Sequence, residues 1–116
     1  MDLDLLQGAW RAVRIVIGKS EVPDEVAMTV RYIFDGDQVT LMEGDQKAGA
    51  GVIYLDPSAD PRAFDFTATE GAPKGTTAMG IYRIEGDLLT MCMGDKRPTE
   101  FTGAGKAALV ELVRIA

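Results

Sequence analysis

Histidine is absent from the 116-residue chain, and cysteine and tryptophan occur only once each. The missing imidazole excludes Ser-His-Asp and Cys-His catalysis, histidine-ligated zinc or haem, and a histidine pH switch near neutrality. One cysteine cannot form an internal disulfide or a cysteine-rich metal site. What remains is chemistry by carboxylates, lysine, tyrosine or arginine, or no chemistry, and the sequence predicts no catalytic residue, no metal and no cofactor.

Long apolar runs and clusters of basic residues are also missing. No run approaches the roughly 20 residues of a membrane helix, so we expect no membrane span. The 12 basic residues are scattered singly against 18 acidic ones, giving a net charge of -6. Such a chain repels phosphate backbones, and we expect no nucleic-acid partner. The start, MDLDLLQGAW, has no basic leader or apolar signal core, which predicts a cytoplasmic protein, or a secreted or periplasmic one if a leader was removed.

Glycine, by contrast, is abundant. Thirteen glycines separate short apolar stretches, and no segment keeps a 3.6-residue apolar period over three turns, a pattern typical of a small all-β domain. We predict a single domain over residues 1–116, with a helical turn near residues 20–26 that Ser20 could cap. Eight strands are predicted, near residues 8–17, 27–34, 39–44, 48–55, 63–69, 77–84, 88–93 and 108–115.

A repeat appears when the chain is shifted by 50 residues against itself. Residues 32–45 and 82–95 are identical at six of fourteen positions. Each copy reads as a strand, a tight Gly-Asp turn and a returning strand, because glycine and aspartate tolerate the positive φ of two-residue hairpin turns. Two copies of one hairpin favour an up-and-down sheet.

The turns also predict the register of the two hairpins. In the second copy Tyr82 faces Met91, and in the first copy Tyr32 faces Leu41. The same rule places Ile84 opposite Leu89 and Phe34 opposite Val39. Both hairpins therefore put a tyrosine and its apolar partners on one face, which we expect to be the inner one. Cys92 falls on the opposite face, where it is predicted to be a small apolar filler.

Three signatures together resemble a known family. Gly8-Ala9-Trp10 is the G-x-W that opens lipocalin-like barrels, and Arg114 lies in the last predicted strand, where lipocalins pack an arginine across the tryptophan. With Leu6-Gln7 before it, and with the pieces Gly80-Ile81-Tyr82…Gly86-Asp87…Cys92 and Arg97–Phe101, the chain resembles an uncharacterised lipocalin-like domain family that is expanded in planctomycetes. The resemblance implies a small bacterial antiparallel barrel of the calycin type, and it brings no activity or site residues.

The remaining polar candidates lie near predicted strand ends. Arg97 and Glu100 flank Pro98, which favours a barrel rim, and they could pair there to position a ligand's polar group. The structural alternative is a rim salt bridge with Phe101 closing the barrel end. Asp65, between two phenylalanines, is predicted to face solvent. In the reversed register it would be a buried carboxylate that could serve in acid-base chemistry.

Three functions stay open. The leading hypothesis is non-catalytic binding of a small, mostly apolar ligand inside an eight-stranded barrel, which is just wide enough for a ligand or for side chains alone. The second is a protein-interaction or inhibitory module that uses the acidic outer surface, and the third is a calycin-type cyclase or isomerase. Gly8, Trp10 and Arg114 are expected to be structural. The candidate ligand-binding residues are Tyr32, Tyr54, Met79, Tyr82, Met91, Arg97 and Glu100.

Overall fold

Strands make up most of the protein. The computed structural model describes residues 2–71, 75–102 and 107–115. Its helices are α1 (Asp2–Leu6) and α2 (Asp24–Ala27). Its strands are β1 (Gly8–Ile17), β2 (Ser20–Glu21), β3 (Val30–Asp35), β4 (Gln38–Glu43), β5 (Gln46–Asp56), β6 (Ala63–Glu70), β7 (Thr77–Glu85), β8 (Leu88–Gly94) and β9 (Ala108–Arg114).

The strands form a closed ring. From β3 to β9 each strand pairs antiparallel with the next, β1 pairs with β3, and β1 also pairs with β9. The result is an eight-stranded antiparallel up-and-down barrel, with β2 added as a two-residue pairing on β1. The predicted fold class is confirmed, and all eight predicted strands are present with bounds within three residues. Neither described helix is long and apolar enough to cross a membrane.

Both hairpins adopt the predicted register. Tyr32 pairs with Leu41 in β3 and β4, and Tyr82 pairs with Met91 in β7 and β8. Gly36 and Gly86 take φ values of 62° and 60°, the left-handed conformation that the tight turns require. The face with the tyrosines is the inner one, since its residues belong to the main hydrophobic core.

Each helix lies at one end of the barrel. α1 precedes β1 and buries Leu6 in the core. It is not predictable from the sequence pattern, because five residues are too few to show a helical period. α2 lies at the opposite end, where Ala27 is buried. The predicted cap is wrong: Ser20 pairs with Ile17 as part of β2, and Pro23 precedes the helix without a side-chain cap.

A second, smaller apolar cluster lies on the outside of the barrel. Cys92 is buried there with three residues from β1, β7 and β9, on the face opposite the tyrosines as predicted. Phe101, from the segment that follows β8, packs over this cluster, and the Arg83 guanidinium lies 4.7 Å from its ring centre. Phe101 therefore covers an outer wall and does not close the barrel end, which corrects the alternative considered from the sequence.

Candidate functional site

The barrel interior contains one apolar cleft that the described residues define, which we call the inner cleft. Its volume is about 70 Å³. It is lined by nine apolar or aromatic side chains from five strands, namely Tyr32, Phe34, Val39, Leu41, Ile53, Phe64, Phe66, Met91 and Met93. Water occupies about 30 Å³ per molecule in the liquid, so the inner cleft has room for about two groups of that size.

The burial of the lining side chains shows which way the inner cleft faces. In β3, Phe34 near the α1 end is buried and Tyr32, two residues nearer the α2 end, is half-buried. In β8, Met91 is likewise buried, and Met93, nearer the α2 end, is half-buried. The two lining residues of β4 and the two of β6 show the same decrease in burial toward α2. The inner cleft is therefore closed toward α1 and more open toward α2.

Two glycines make room for the aromatic walls of the inner cleft. Phe64 in β6 is directly opposite Gly80 in β7, and a Cβ at Gly80 would overlap the Phe64 ring. A Cβ at Gly51 in β5 would likewise overlap the ring of Phe66. Because the rings occupy the space above these glycines, they lie against the barrel wall and leave the central space open.

Tyr32 is the titratable residue in the lining of the inner cleft. Burial raises its pKa to about 12, so the phenol is neutral at physiological pH. The chain offers the Tyr32 hydroxyl no hydrogen-bond partner among the described residues. A neutral donor of this kind can orient a ligand, whereas a general base would need a much lower pKa.

Tyr82, the second predicted tyrosine, belongs to the core beneath the inner cleft. It is 2% exposed. Its hydroxyl donates a hydrogen bond to Oδ2 of Asp2 in α1 at 2.7 Å, and Arg62 pairs with the same oxygen at 3.1 Å. Burial and the Asp2 carboxylate both raise the pKa of Tyr82. The two repeats therefore have the same register but different roles: Tyr32 lines the inner cleft and Tyr82 fastens α1 to the barrel.

Three other predicted residues meet on the outer wall. Tyr54, Asp65 and Met79 pair in one row across β5, β6 and β7, and Tyr54 is 70% exposed while Met79 is 38% exposed. The expectation that Tyr54 and Met79 point into the barrel is wrong. Met79 is three positions from the inward-facing Tyr82 in β7, so the predicted hairpin register already implied the outer face for it. For Tyr54 in β5 no turn predicted the register.

Arg97 lies over this outer row. Its guanidinium donates to the backbone oxygens of Phe64 and Gly80 at 2.9 and 2.8 Å, and pairs with Asp65 at 2.5 Å. The carboxylate partner of Arg97 is therefore Asp65, in place of the expected Glu100, which is exposed on the same connecting segment. Asp65 faces outward as predicted, and a shallow groove of about 180 Å³ separates Arg97 from Tyr54.

Gly8, Trp10 and Arg114, which were expected to be structural, close the α1 end of the barrel. Trp10 is fully buried, and its Nε1 donates a hydrogen bond to the Leu6 oxygen at 2.9 Å. The Arg114 guanidinium lies over the Trp10 ring, 4.2 Å from the ring centre. Arg114 also donates to the backbone oxygens of Leu5 and Gln7. Gly8 turns the chain from α1 into β1 with a φ of 106°. The predicted packing of Arg114 across Trp10 is thus present.

Most residues of the inner cleft were not predicted from the sequence. Of the seven candidate ligand-binding residues, Tyr32 and Met91 line it. Hairpin register had already placed Phe34, Val39 and Leu41 on the inner face, which was the signal available for them. The contributions of β5 and β6 had no comparable signal.

Comparison with known protein families, with curated proteins and with solved structures finds no match for this chain.

Proposed function

We propose that this chain is a lipocalin-like binding module that holds the apolar end of a small ligand in the inner cleft. The observation that carries the proposal is the lining itself: nine apolar or aromatic side chains converge on one opening inside a closed barrel. Ligand sites are concave and mostly apolar, with few polar groups that fix orientation. The neutral Tyr32 hydroxyl is the polar group available for that task.

The volume limits the ligand. An engineered apolar cavity of about 150 Å³ is known to bind benzene, and the inner cleft has about half that volume. It therefore suits a short alkyl group or the end of a longer chain, with the rest of the ligand leaving toward α2. Met91 and Met93 have flexible, unbranched side chains, so they can shift to widen the space.

Binding is favoured over catalysis by the chemistry of the lining. Among the residues that the structure describes, the inner cleft has no carboxylate or lysine in its lining, and the pKa of Tyr32 is raised to about 12, which makes it a poor base near neutrality. A cyclase or isomerase would need a titratable group placed against the substrate. The interaction module that uses the acidic outer surface stays a prediction from charge alone.

The proposal is tested by titrating the full chain with straight-chain alcohols of four to eight carbons and following the six methionine methyl groups by NMR. We expect the Met91 and Met93 methyls to shift in a saturable way, because both line the inner cleft. The Met79 methyl, which is exposed on the outer wall, should not move.

A matched pair of variants separates filling of the inner cleft from a general effect of added bulk. Val39→Leu adds one methylene group at the buried end of the inner cleft and should weaken alcohol binding at least about fivefold, since the space it fills is lost to the ligand. Val52→Leu makes the same addition on the outer face, where Val52 is 39% exposed, and should leave binding unchanged. Equal effects of the two variants, or no saturable shift at Met91 and Met93, would overturn the proposal.

A further inference from the structure

The arginines of this acidic chain divide into two groups. Five of the seven pair with a carboxylate, namely Arg14, Arg62, Arg83, Arg97 and Arg114. Arg11 and Arg31 have no carboxylate within 4.0 Å anywhere in the described ranges. With 18 acidic residues in the chain, pairing is the rule, and these two are the exceptions among the arginines.

The two exceptions are direct neighbours. Arg11 in β1 and Arg31 in β3 are cross-strand partners, although 20 positions separate them in the sequence. In β1, Arg11 lies between the buried residues Trp10 and Ala12, so its side chain is on the outer wall. Its cross-strand partner Arg31 lies on the same face of the sheet. Directly opposed side chains in an antiparallel pair have Cβ atoms about 5 Å apart, and like charges at that distance repel each other.

The neighbours in the row do not offset this repulsion. Val113 in β9 is the partner of Arg11 on one side, and Met42 in β4 is the partner of Arg31 on the other. Val113, Arg11, Arg31 and Met42 thus form one row across four strands, which we call the arginine row. Its centre carries two positive charges and its flanks are apolar.

One buried nitrogen of the arginine row lacks a hydrogen-bond acceptor among the described residues. Nε of Arg11 is buried and makes no hydrogen bond, the sole buried side-chain nitrogen or oxygen in the described residues for which this holds. Arg31 is held in place by a hydrogen bond from Nη2 to the Gly44 oxygen at 2.8 Å, and its other donors make no further hydrogen bond to the residues that the structure describes. A buried donor on a charged group is costly to leave unpaired, and a bound ion is one recognised reason for it to be found so.

We propose that the arginine row binds a doubly charged tetrahedral oxyanion, in the form of a phosphate monoester with an apolar organic part. Two guanidinium groups match the two negative charges, and their planar donors suit phosphate oxygens, with Nε of Arg11 supplying one donor. Val113 and Met42 provide contact for the organic part. This site is on the outer wall and does not depend on the inner cleft.

The experiment titrates the full chain with phenyl phosphate and, separately, with inorganic phosphate, at constant ionic strength, and follows the arginine Nε–Hε signals by NMR. We expect the Arg11 signal to shift in a saturable way with both ions, and phenyl phosphate to bind more tightly because its ring contacts the apolar flanks. Equal affinity for the two ions would overturn the assignment to an ester with an apolar part.

Three variants show whether the two arginines act as a site. Arg11→Gln and Arg31→Gln should each weaken phenyl phosphate binding by roughly tenfold, since each removes one set of charge-assisted hydrogen bonds. Arg83→Gln removes the same charge elsewhere on the outer wall and should have little effect, because Arg83 is already paired with Glu85. All three changes are on exposed or half-buried outer positions, and an unchanged far-ultraviolet spectrum verifies the fold. Equal weakening by all three variants would show that binding depends only on the net charge of the chain, and it would overturn the proposal.

Discussion

At the scale of single residues, the Tyr82 hydroxyl gives the clearest expectation. Tyr82→Phe removes the hydrogen bond to Asp2 and leaves the ring in the core, so the free energy of unfolding should fall by about 1–2 kcal/mol. Urea denaturation measures this change. Tyr54→Phe is the matched control: the same atom is removed from a side chain that is 70% exposed, and no change is expected.

The pKa of Tyr82 adds a pH signature to the same prediction. Because its pKa is higher in the folded chain than the unfolded value near 10, Tyr82 contributes stability that is fully present below about pH 10 and is lost as the pH rises further. Tyr82→Phe should therefore show a smaller loss of stability above pH 10 than the parent chain. An identical alkaline slope in both proteins would contradict the assignment.

Residue roles were harder to predict than residue positions. The repeat predicted that Tyr32 and Tyr82 share an inner face, and this is confirmed. It could not predict that Tyr82 is tied to Asp2, since 80 positions separate the partners and helix α1 leaves no periodic signal. Tyr54 was misplaced for a different reason: no tight turn predicted the register of β5, and its pairing with Asp65 places it on the outer wall.

At the scale of elements, Arg114 connects α1, β1 and β9. Its side chain binds the Leu5 and Gln7 oxygens, pairs with Asp87 and lies over Trp10. Arg114→Met should lower the free energy of unfolding by about 3 kcal/mol, since two backbone acceptors and the contact with Trp10 are lost together. The expected local signs are faster hydrogen exchange in α1 and a red-shifted emission from Trp10, the one tryptophan of the chain.

Arg14→Met serves as the control for this element. Arg14 pairs with Glu21 and Glu111, but its side chain is 48% exposed, and exposed ion pairs contribute less than about 1 kcal/mol. A comparable loss of stability in the two variants would show that Arg114 acts through its charge alone and not through α1.

The elements themselves were the part best predicted from sequence. Glycine and aspartate turns defined where the hairpins reverse, and alternation in the second repeat defined the inner face of β7 and β8. The short elements were not predictable to the same degree. α2 begins at Asp24 and not near Ser20, because pairing of Ser20 with Ile17 in β2 competes with the local cap preference.

At the scale of the whole molecule, the pairing of β1 with β9, which we call the β1–β9 seam, closes the row of strands into a barrel. Seven residue pairs join the first strand to the last, so the two end strands of the meander, β1 and β9, pair with each other and neither is left as an edge strand. Leu112, fully buried in β9, packs in the core at this seam. The same core extends from α1 at one end to Ala27 of α2 at the other. We therefore expect the barrel to unfold as one cooperative unit.

Leu112→Ala tests the seam. The substitution should lower the free energy of unfolding by about 3 kcal/mol, the typical result of deleting a buried leucine side chain. Val113→Ala, next to it but facing outward, should cost less than about 1 kcal/mol. In both variants the sheet signal in circular dichroism and the fluorescence of Trp10 should be lost at the same urea concentration, because the seam connects the α1 end to every strand. If Leu112→Ala instead separates the two signals, with Trp10 exposed while the sheet signal persists, the seam stabilises only the end of the barrel near α1 and the barrel is not a single cooperative unit.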